Sequence, residues 1–306
     1  MVKFGQIIMG PPGSGKSTYC AAMEYKYNSI GRHTIIVNLD PQVTPEELPY
    51  KPTVDVCDLV DASKVSDTFE LGPNATLLYC MEYLLENVDW LIEKLSPFKD
   101  SYILYDIPGQ IELFTHHTSL RDVIQKLEKN GHRLVGVNLI DSTLCADPYK
   151  YIAALLSSLS CQIFVQLPHV NILSKLSLLK IVKKDLAYKL EYYTEANDLQ
   201  ELMVVLRNGI HMPNQERFEK FTSTLCELIE DFNLVSFGTL DVQDNESIER
   251  VIRIIDRSSG YIANLGDSFP HNRNVYDFSF SNNITDDVYL KNNVADLQER
   301  YVDSDE

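Results

Sequence analysis

The run Gly10-Pro11-Pro12-Gly13-Ser14-Gly15-Lys16-Ser17-Thr18 has the spacing G-x-x-x-x-G-K-[ST], and each residue type in it has a task toward a polyphosphate. Glycines let the backbone curl until successive N–H groups point inward at anionic oxygens. Lys16 brings a mobile positive charge to the outer phosphates, and the Ser17 hydroxyl is a ligand for Mg²⁺. The residues expected to touch the nucleotide here are Gly13, Ser14, Gly15, Lys16, Ser17 and Thr18. The flanks agree: apolar Gln6-Ile-Ile-Met9 reads as a strand entering the loop, and a helix-compatible stretch from Lys16 to about Tyr27 leaves it.

Two further carboxylates sit where such a loop needs them. Asp106-Ile-Pro-Gly-Gln110 follows an apolar run, so Asp106 closes a core strand at the place where a Mg²⁺ shell lies. Gly109 then offers a backbone N–H to the terminal phosphate, and Gln110 stands where a side chain orients attacking water. Asn38-Leu-Asp40-Pro41 ends another run, which brings Asp40 to the same edge as a second metal or water ligand. Gly72-Pro73-Asn74, taken alone, is turn chemistry.

These residues must be held by an α/β framework. Apolar strand candidates Gln6–Met9, Thr34–Asn38, Tyr102–Tyr105, Leu134–Ile140, Ile163–Leu167 and Leu234–Phe237 alternate with amphipathic segments at Leu77–Leu95, Leu120–Asn130, Tyr149–Leu159, Glu216–Asp231 and Ser247–Arg257. That alternation predicts a mostly parallel sheet flanked by helices, within a nucleotide-binding domain over 1–263. A polar stretch at about 180–215 reads as a helical insertion. From Asn264 to Glu306, nine acidic residues face three basic ones, the composition of a mobile acidic tail. Within that tail, Leu297 and Tyr301 stand at i,i+4 spacing, a short docking segment around Val294–Val302.

With 44% hydrophobic residues the 306-residue chain can build a sizeable core, and a net charge of −17 disfavours broad contact with nucleic acid or anionic lipid. The six cysteines are scattered without a zinc-type cluster and read as reduced core thiols. No signal peptide is expected, which points to cytosol or nucleus. The uncharged stretch Tyr151–Ser174 is interrupted by serines, glutamines and a proline, so it reads as a buried helix followed by a buried strand, not a membrane span.

Taken together, Gly10–Cys20, Asn38-Leu-Asp-Pro41, Gly72-Pro-Asn74, Asp106-Ile-Pro-Gly-Gln-Ile-Glu112 and Leu167-Pro-His-Val-Asn-Ile-Leu-Ser-Lys175 resemble the GPN-loop GTPases over roughly 3–263. Gly31-Arg-His33, Phe114-Thr-His-His117, Leu190-Glu-Tyr-Tyr-Thr-Glu195, Asn233-Leu-Val-Ser-Phe237 and Gly260-Tyr261 extend the likeness. The resemblance implies a GTP/GDP- and Mg²⁺-dependent dimer in which the Gly72-Pro73-Asn74 loop of one subunit enters the other's site, with Asn74 acting on phosphate in trans. An amide suits that role, because it donates to phosphate and accepts from water without adding charge. It also implies a homodimer, or a heterodimer with a paralogue, that assists assembly of RNA polymerase II in the cytoplasm and its passage to the nucleus. Catalytic roles would fall to Asn74, Gln110, Asp40 and Lys16, and metal binding to Ser17, Asp106 and Asp40.

The chain departs from that pattern at the base. Guanine-reading motifs end in Asp, whereas Ser174-Lys175-Leu176-Ser177 ends in a hydroxyl that cannot match a bidentate charged acceptor. Lys175 can still pack along the base, and Asp241, after the last strand, is a candidate substitute carboxylate. Cys57, Gln42 and Ala75-Thr76 stand where the family has Arg, Ala and Gly-Gly. Two other functions fit the phosphate loop: a nucleotide-holding scaffold with little turnover, and a small-molecule kinase. A kinase needs several arginines to clamp two sets of phosphates, and few arginines lie near these motifs.

Overall fold

Seven apolar runs align into one sheet: β1 (Lys3–Met9), β2 (Thr34–Asn38), β3 (Val54–Asp55), β4 (Tyr102–Asp106), β5 (His132–Asp141), β6 (His169–Ser174) and β7 (Phe237–Thr239). Their order is β3-β2-β4-β1-β5-β6-β7, and every pairing is parallel. The reason is visible in composition, since strands such as Thr34–Asn38 and Tyr102–Asp106 are buried at every position and need helices over both faces. The computed structural model describes residues 2–209, 215–261 and 294–303.

The covering helices are α1 (Lys16–Ser29), α2 (Ala62–Phe69), α3 (Pro73–Glu86), α4 (Val88–Leu95), α5 (Thr118–Lys129), α6 (Pro148–Val165), α7 (Leu179–Val182), α8 (Leu190–Glu195), α9 (Gln200–Gly209), α10 (Gln215–Phe232) and α11 (Asn245–Ser259). Successive side chains of β1 feed opposite cores. Ile7 and Met9 join the cluster under α3, α4 and α5, whereas Phe4 and Ile8 join the one under α1 and α11. A third cluster gathers α6 to α10 beyond β6.

Several elements differ from the sequence expectation. Ile163–Leu167 is not a strand: Ile163 to Val165 complete α6, Gln166 turns left-handed at φ 60°, and the strand begins after Pro168 at His169. Proline restrains its predecessor to extended backbone, so the helix ends before it. The expected single helix Leu77–Leu95 starts earlier, at Pro73, and breaks at Asn87 into α3 and α4. The last strand lies at Phe237–Thr239, leaving Leu234 47% exposed. β3 and α2 went unread. The expected insertion contains α7, α8 and α9, while 210–214 lie outside the described residues, as do 262–263 and, of the acidic stretch, 264–293 and 304–306. Among the described residues no helix is long and apolar enough to cross a membrane.

The Gly31-Arg-His33 and Gly260-Tyr261 segments meet in the core. Arg32 forms a bidentate pair with Asp256 at 2.9 and 2.6 Å, and its guanidinium lies 4.5, 5.2 and 4.1 Å from the Tyr27, Tyr102 and Tyr261 rings. Paired and stacked, the charge is tolerated in the interior and fastens α11 to the turn before β2.

Two buried histidines make the fold acid-sensitive. Burial lowers both His132 and His169 to about 4, reinforced at His132 by the charge of Lys3. Their folded values lie below the unfolded value near 6.5, so the unfolded chain takes up protons first as pH falls. The stability they allow is complete above about pH 6.5 and declines toward pH 4, by roughly 1–2 kcal/mol per histidine at pH 5. Urea midpoints at pH 7 and pH 5 should show this loss, and His169→Gln should shrink it. Equal midpoints at the two pH values would contradict the assignment.

Candidate phosphate site

The carboxyl ends of the strands bring the motifs to one edge. β1 runs into the loop Gly10–Gly15, and α1 begins at Lys16 with Gly15 as its N-cap at φ 95°, with no side-chain cap and no acidic residue in its first turn. The orphan N–H groups of that turn are therefore left for an anion. Gly10 is obligatory: at φ 138° it passes so close to β5 that an added Cβ would lie 2.3 Å from the Leu139 carbonyl oxygen.

Lys16 Nζ donates to the carbonyls of Gly10 (3.1 Å) and Pro11 (3.3 Å) and lies beside Gly109, where a Cβ would come within 2.7 Å of it. The loop after β4 thus touches the loop after β1. Burial lowers the Lys16 pKa, opposed by the charges of Asp106 and Asp40. Burial raises Asp106, while hydrogen bonds from Tyr50 and Ser17 and the charge of Lys16 pull it back. Asp40 is also raised by burial, and the charge of Asp106 adds to this, whereas the Gln42 N–H and Lys16 oppose it. The buried Asp106, the half-buried Asp40 and a hydroxyl gathered around one ammonium form a site short of positive charge. Its all-oxygen donor set, Ser17, Asp40 and Asp106, fits a hard cation such as Mg²⁺.

Tyr50, Asp55 and Asp141 had no role at this site in the sequence reading. Tyr50 donates its hydroxyl to Asp106 Oδ2 at 2.7 Å, although it stands in a polar loop with no periodic signal. Asn38 and Asp55 brace β2 against β3, with Asn38 Nδ2 donating to Asp55 Oδ1 at 3.1 Å. Asp141, ending β5, accepts from Lys175 Nζ at 2.8 Å, and hydrogen bonds from Lys175 and Thr143 outweigh burial to hold its carboxyl below the usual range. Asp141 could have been found by the rule that Asp40 and Asp106 also obey, a carboxylate at a strand's carboxyl end.

Gln110 is linked to the Gly72-Pro73-Asn74 turn within the same chain. Its Nε2 donates to Gln42 Oε1 at 3.1 Å, and Gln42 Nε2 donates to the Pro73 carbonyl at 2.9 Å. Gly72 caps α3, Pro73 is its first residue, and Gly72, Pro73 and Asn74 are all exposed. Asn74 therefore faces outward, not into the core.

On the other side, the Ser174 hydroxyl donates to the carbonyls of Ser14 (2.8 Å) and Ile140 (3.1 Å), which sets the loop after β6 against the phosphate loop. Lys175 turns left-handed at φ 58° and passes over Gly15, while Ser177 is exposed on the turn that follows. Asp241 lies at the same edge but is 5% exposed. Its Oδ1 accepts from the Gln243 N–H at 2.9 Å and its Oδ2 from the Tyr301 hydroxyl at 2.7 Å.

Comparison with known proteins agrees with this architecture. Residues 8–261 match a family described as "Conserved hypothetical ATP binding protein". The chain is 45% identical to GPN-loop GTPase QQT1 of Arabidopsis thaliana, over 99% of this chain and 98% of that protein. It is 44% identical to GPN-loop GTPase 2 of Danio rerio, over 96% of each. GPN-loop GTPase 2 of Saccharomyces cerevisiae is 40% identical, over 85% of this chain and 75% of that protein. The apo crystal structure of PAB0955, a GTPase from Pyrococcus abyssi, shares the fold with a TM-score of 0.66 at 21% identity, over 83% of this chain and 97% of that one.

Proposed function

Because this chain belongs to the GPN-loop GTPase family, we propose that it binds GTP with Mg²⁺ and hydrolyses it to GDP and phosphate, as a dimer with composite sites. The observation that carries this is the meeting of Lys16, the uncapped start of α1, Gly109 and the carboxylates of Asp40 and Asp106 at one edge of the sheet. An anion with a bound cation supplies what that cluster lacks on both counts.

In the reaction a water oxygen bonds to the γ-phosphorus as the bond to the β–γ bridging oxygen breaks, so positioning and charge stabilisation dominate. The N–H groups of Gly13 to Ser17 and the Lys16 ammonium hold the β- and γ-phosphates, and the Gly109 N–H donates to a γ-oxygen. Mg²⁺, held by Ser17, Asp106 and Asp40, would neutralise charge between those phosphates. Gln110 orients the water, and its link through Gln42 to Pro73 ties that task to the GPN loop. Asn74 projects from an exposed helix start, where it can serve a neighbouring subunit's site. Family likeness alone supports a homodimer or paralogous heterodimer, an assembly role toward RNA polymerase II, and residence in the cytoplasm with nuclear shuttling.

Base preference tests the nucleotide assignment. Purified chain should release phosphate from GTP over many turnovers, and titration with GTP, ATP and XTP should show modest guanine preference, since Ser177 offers no carboxylate. Ser177→Asp should tighten GTP and GDP binding about tenfold to a hundredfold, the worth of hydrogen bonds to a charged acceptor, with XTP gaining little. Equal gains for ATP would show that residue 177 does not read the base. No phosphate release from any nucleotide would reject hydrolysis.

A further inference from the structure

The C-terminal segment 294–303 is helical and touches both loops that leave the sheet beyond the phosphate site. Leu297 and Tyr301 are 3% and 6% exposed and share an apolar cluster with Leu173 and Leu179, which flank the Ser174–Ser177 motif, and with Leu176 inside it. Lys180 sets its ammonium 5.8 Å from the Tyr301 ring centre. On the loop after β7, the Tyr301 hydroxyl donates to Asp241 Oδ2 at 2.7 Å and Arg300 Nη1 reaches Asp244 Oδ2 at 3.3 Å. Gln298 Oε1 accepts from the Leu190 N–H at 2.7 Å, anchoring the segment at the start of α8.

These contacts join loops that already lie side by side. The Leu240 N–H donates to the Leu173 carbonyl at 2.9 Å, and the Asp241 N–H to Ser247 Oγ at 2.9 Å. Ser174, through Ser14, fixes the pair next to the phosphate loop. If the phosphates of a nucleotide occupy that loop, as proposed above, the purine has the loops after β6 and β7 as its neighbours. Asp241 is the hinge pin of the second loop: one oxygen closes a local turn with Gln243 and, among the described residues, the other is held by Tyr301.

We propose that residues 294–303 form a clasp, supplied by the same chain, for the base end of the nucleotide site, with Tyr301 as its positioning residue. The buried ring anchors the segment beside Leu176 and Leu179, and the hydroxyl fixes Asp241, so the two loops keep one spacing. How long a nucleotide stays bound then depends on a segment that follows the GTPase domain in sequence and makes no phosphate contact.

The full chain loaded with mant-GDP and Mg²⁺ tests this, with dissociation followed by stopped-flow chase with excess GDP. Inorganic tripolyphosphate serves as a competitor that engages only the phosphate half. Tyr301→Phe keeps the ring and removes the hydroxyl; a Leu297→Ala, Tyr301→Ala double variant undocks the segment. Dissociation should speed up about tenfold in Tyr301→Phe, the scale of one hydrogen bond to a charged group, and more in the double variant. Tripolyphosphate should compete equally well in all forms. Unchanged or slower release from both variants overturns the clasp while leaving the phosphate site standing. Matching losses for mant-GDP and tripolyphosphate also overturn it, by showing general loosening. A native chain that retains no mant-GDP rejects the nucleotide reading on which the clasp rests.

Discussion

Lys16→Ala is expected to abolish GTP and GDP binding while the chain stays folded. The Lys16 ammonium is the cation that faces Asp40, Asp106 and the start of α1 together, and among the described residues its hydrogen bonds go to the loop carbonyls of Gly10 and Pro11. Its work is therefore directed at a ligand, not at the core. Removing one partner of a desolvated charge pair costs about 3–5 kcal/mol, two to nearly four powers of ten in affinity. The fold should tolerate the change, because Lys16 belongs to none of the apolar clusters that hold the sheet and helices together. Calorimetric titration with GDP, beside a melting curve, reads both halves. Retained affinity would remove Lys16 from the site; a collapsed melting transition would mean that it holds the fold.

Asn74→Ala should separate binding from turnover. Asn74 is exposed on the second residue of α3, and no phosphate-loop residue hydrogen-bonds to it, so GTP affinity should change little. Turnover should fall by about a hundredfold to a thousandfold, the usual cost of losing one preorganised donor to developing charge. Single-turnover phosphate release under saturating GTP measures this directly. Unchanged rates would show that the Gly72-Pro73-Asn74 turn is only the start of a helix.

The phosphate edge was legible because its residues are chosen by local geometry. Gly10 needs a positive φ and closeness to Leu139, Gly109 needs closeness to Lys16, and both requirements leave glycine at fixed spacing. Strand ends carrying Asp40 and Asp106 were legible for the same reason, since each closes an apolar run. Tyr50 was not, because its place beside Asp106 depends on the path of the whole connection from Asn38 to Val54. The Ile163-Phe164-Val165 run has β-branched, apolar residues that suit a strand, yet the preceding fifteen residues had already committed the chain to α6 and Pro168 marked where it could end. Arg32 and Tyr261 were visible only as fragments of a family pattern; their stacking and the pairing with Asp256 join residues more than two hundred positions apart. At the base end, the i,i+4 spacing of Leu297 and Tyr301 signalled docking but not its target, which is the loop carrying Asp241.

The composite site is tested most directly by mixing two inactive forms and measuring phosphate release. An Asn74→Ala subunit keeps Lys16, and a Lys16→Ala subunit keeps Asn74, so a mixed pair holds one complete site and one doubly broken site. Random pairing makes half the dimers mixed, so an equimolar mixture should recover about one quarter of native GTP turnover. A mixture no more active than its separate components, at concentrations where mixed dimers are present, would contradict catalysis shared between subunits.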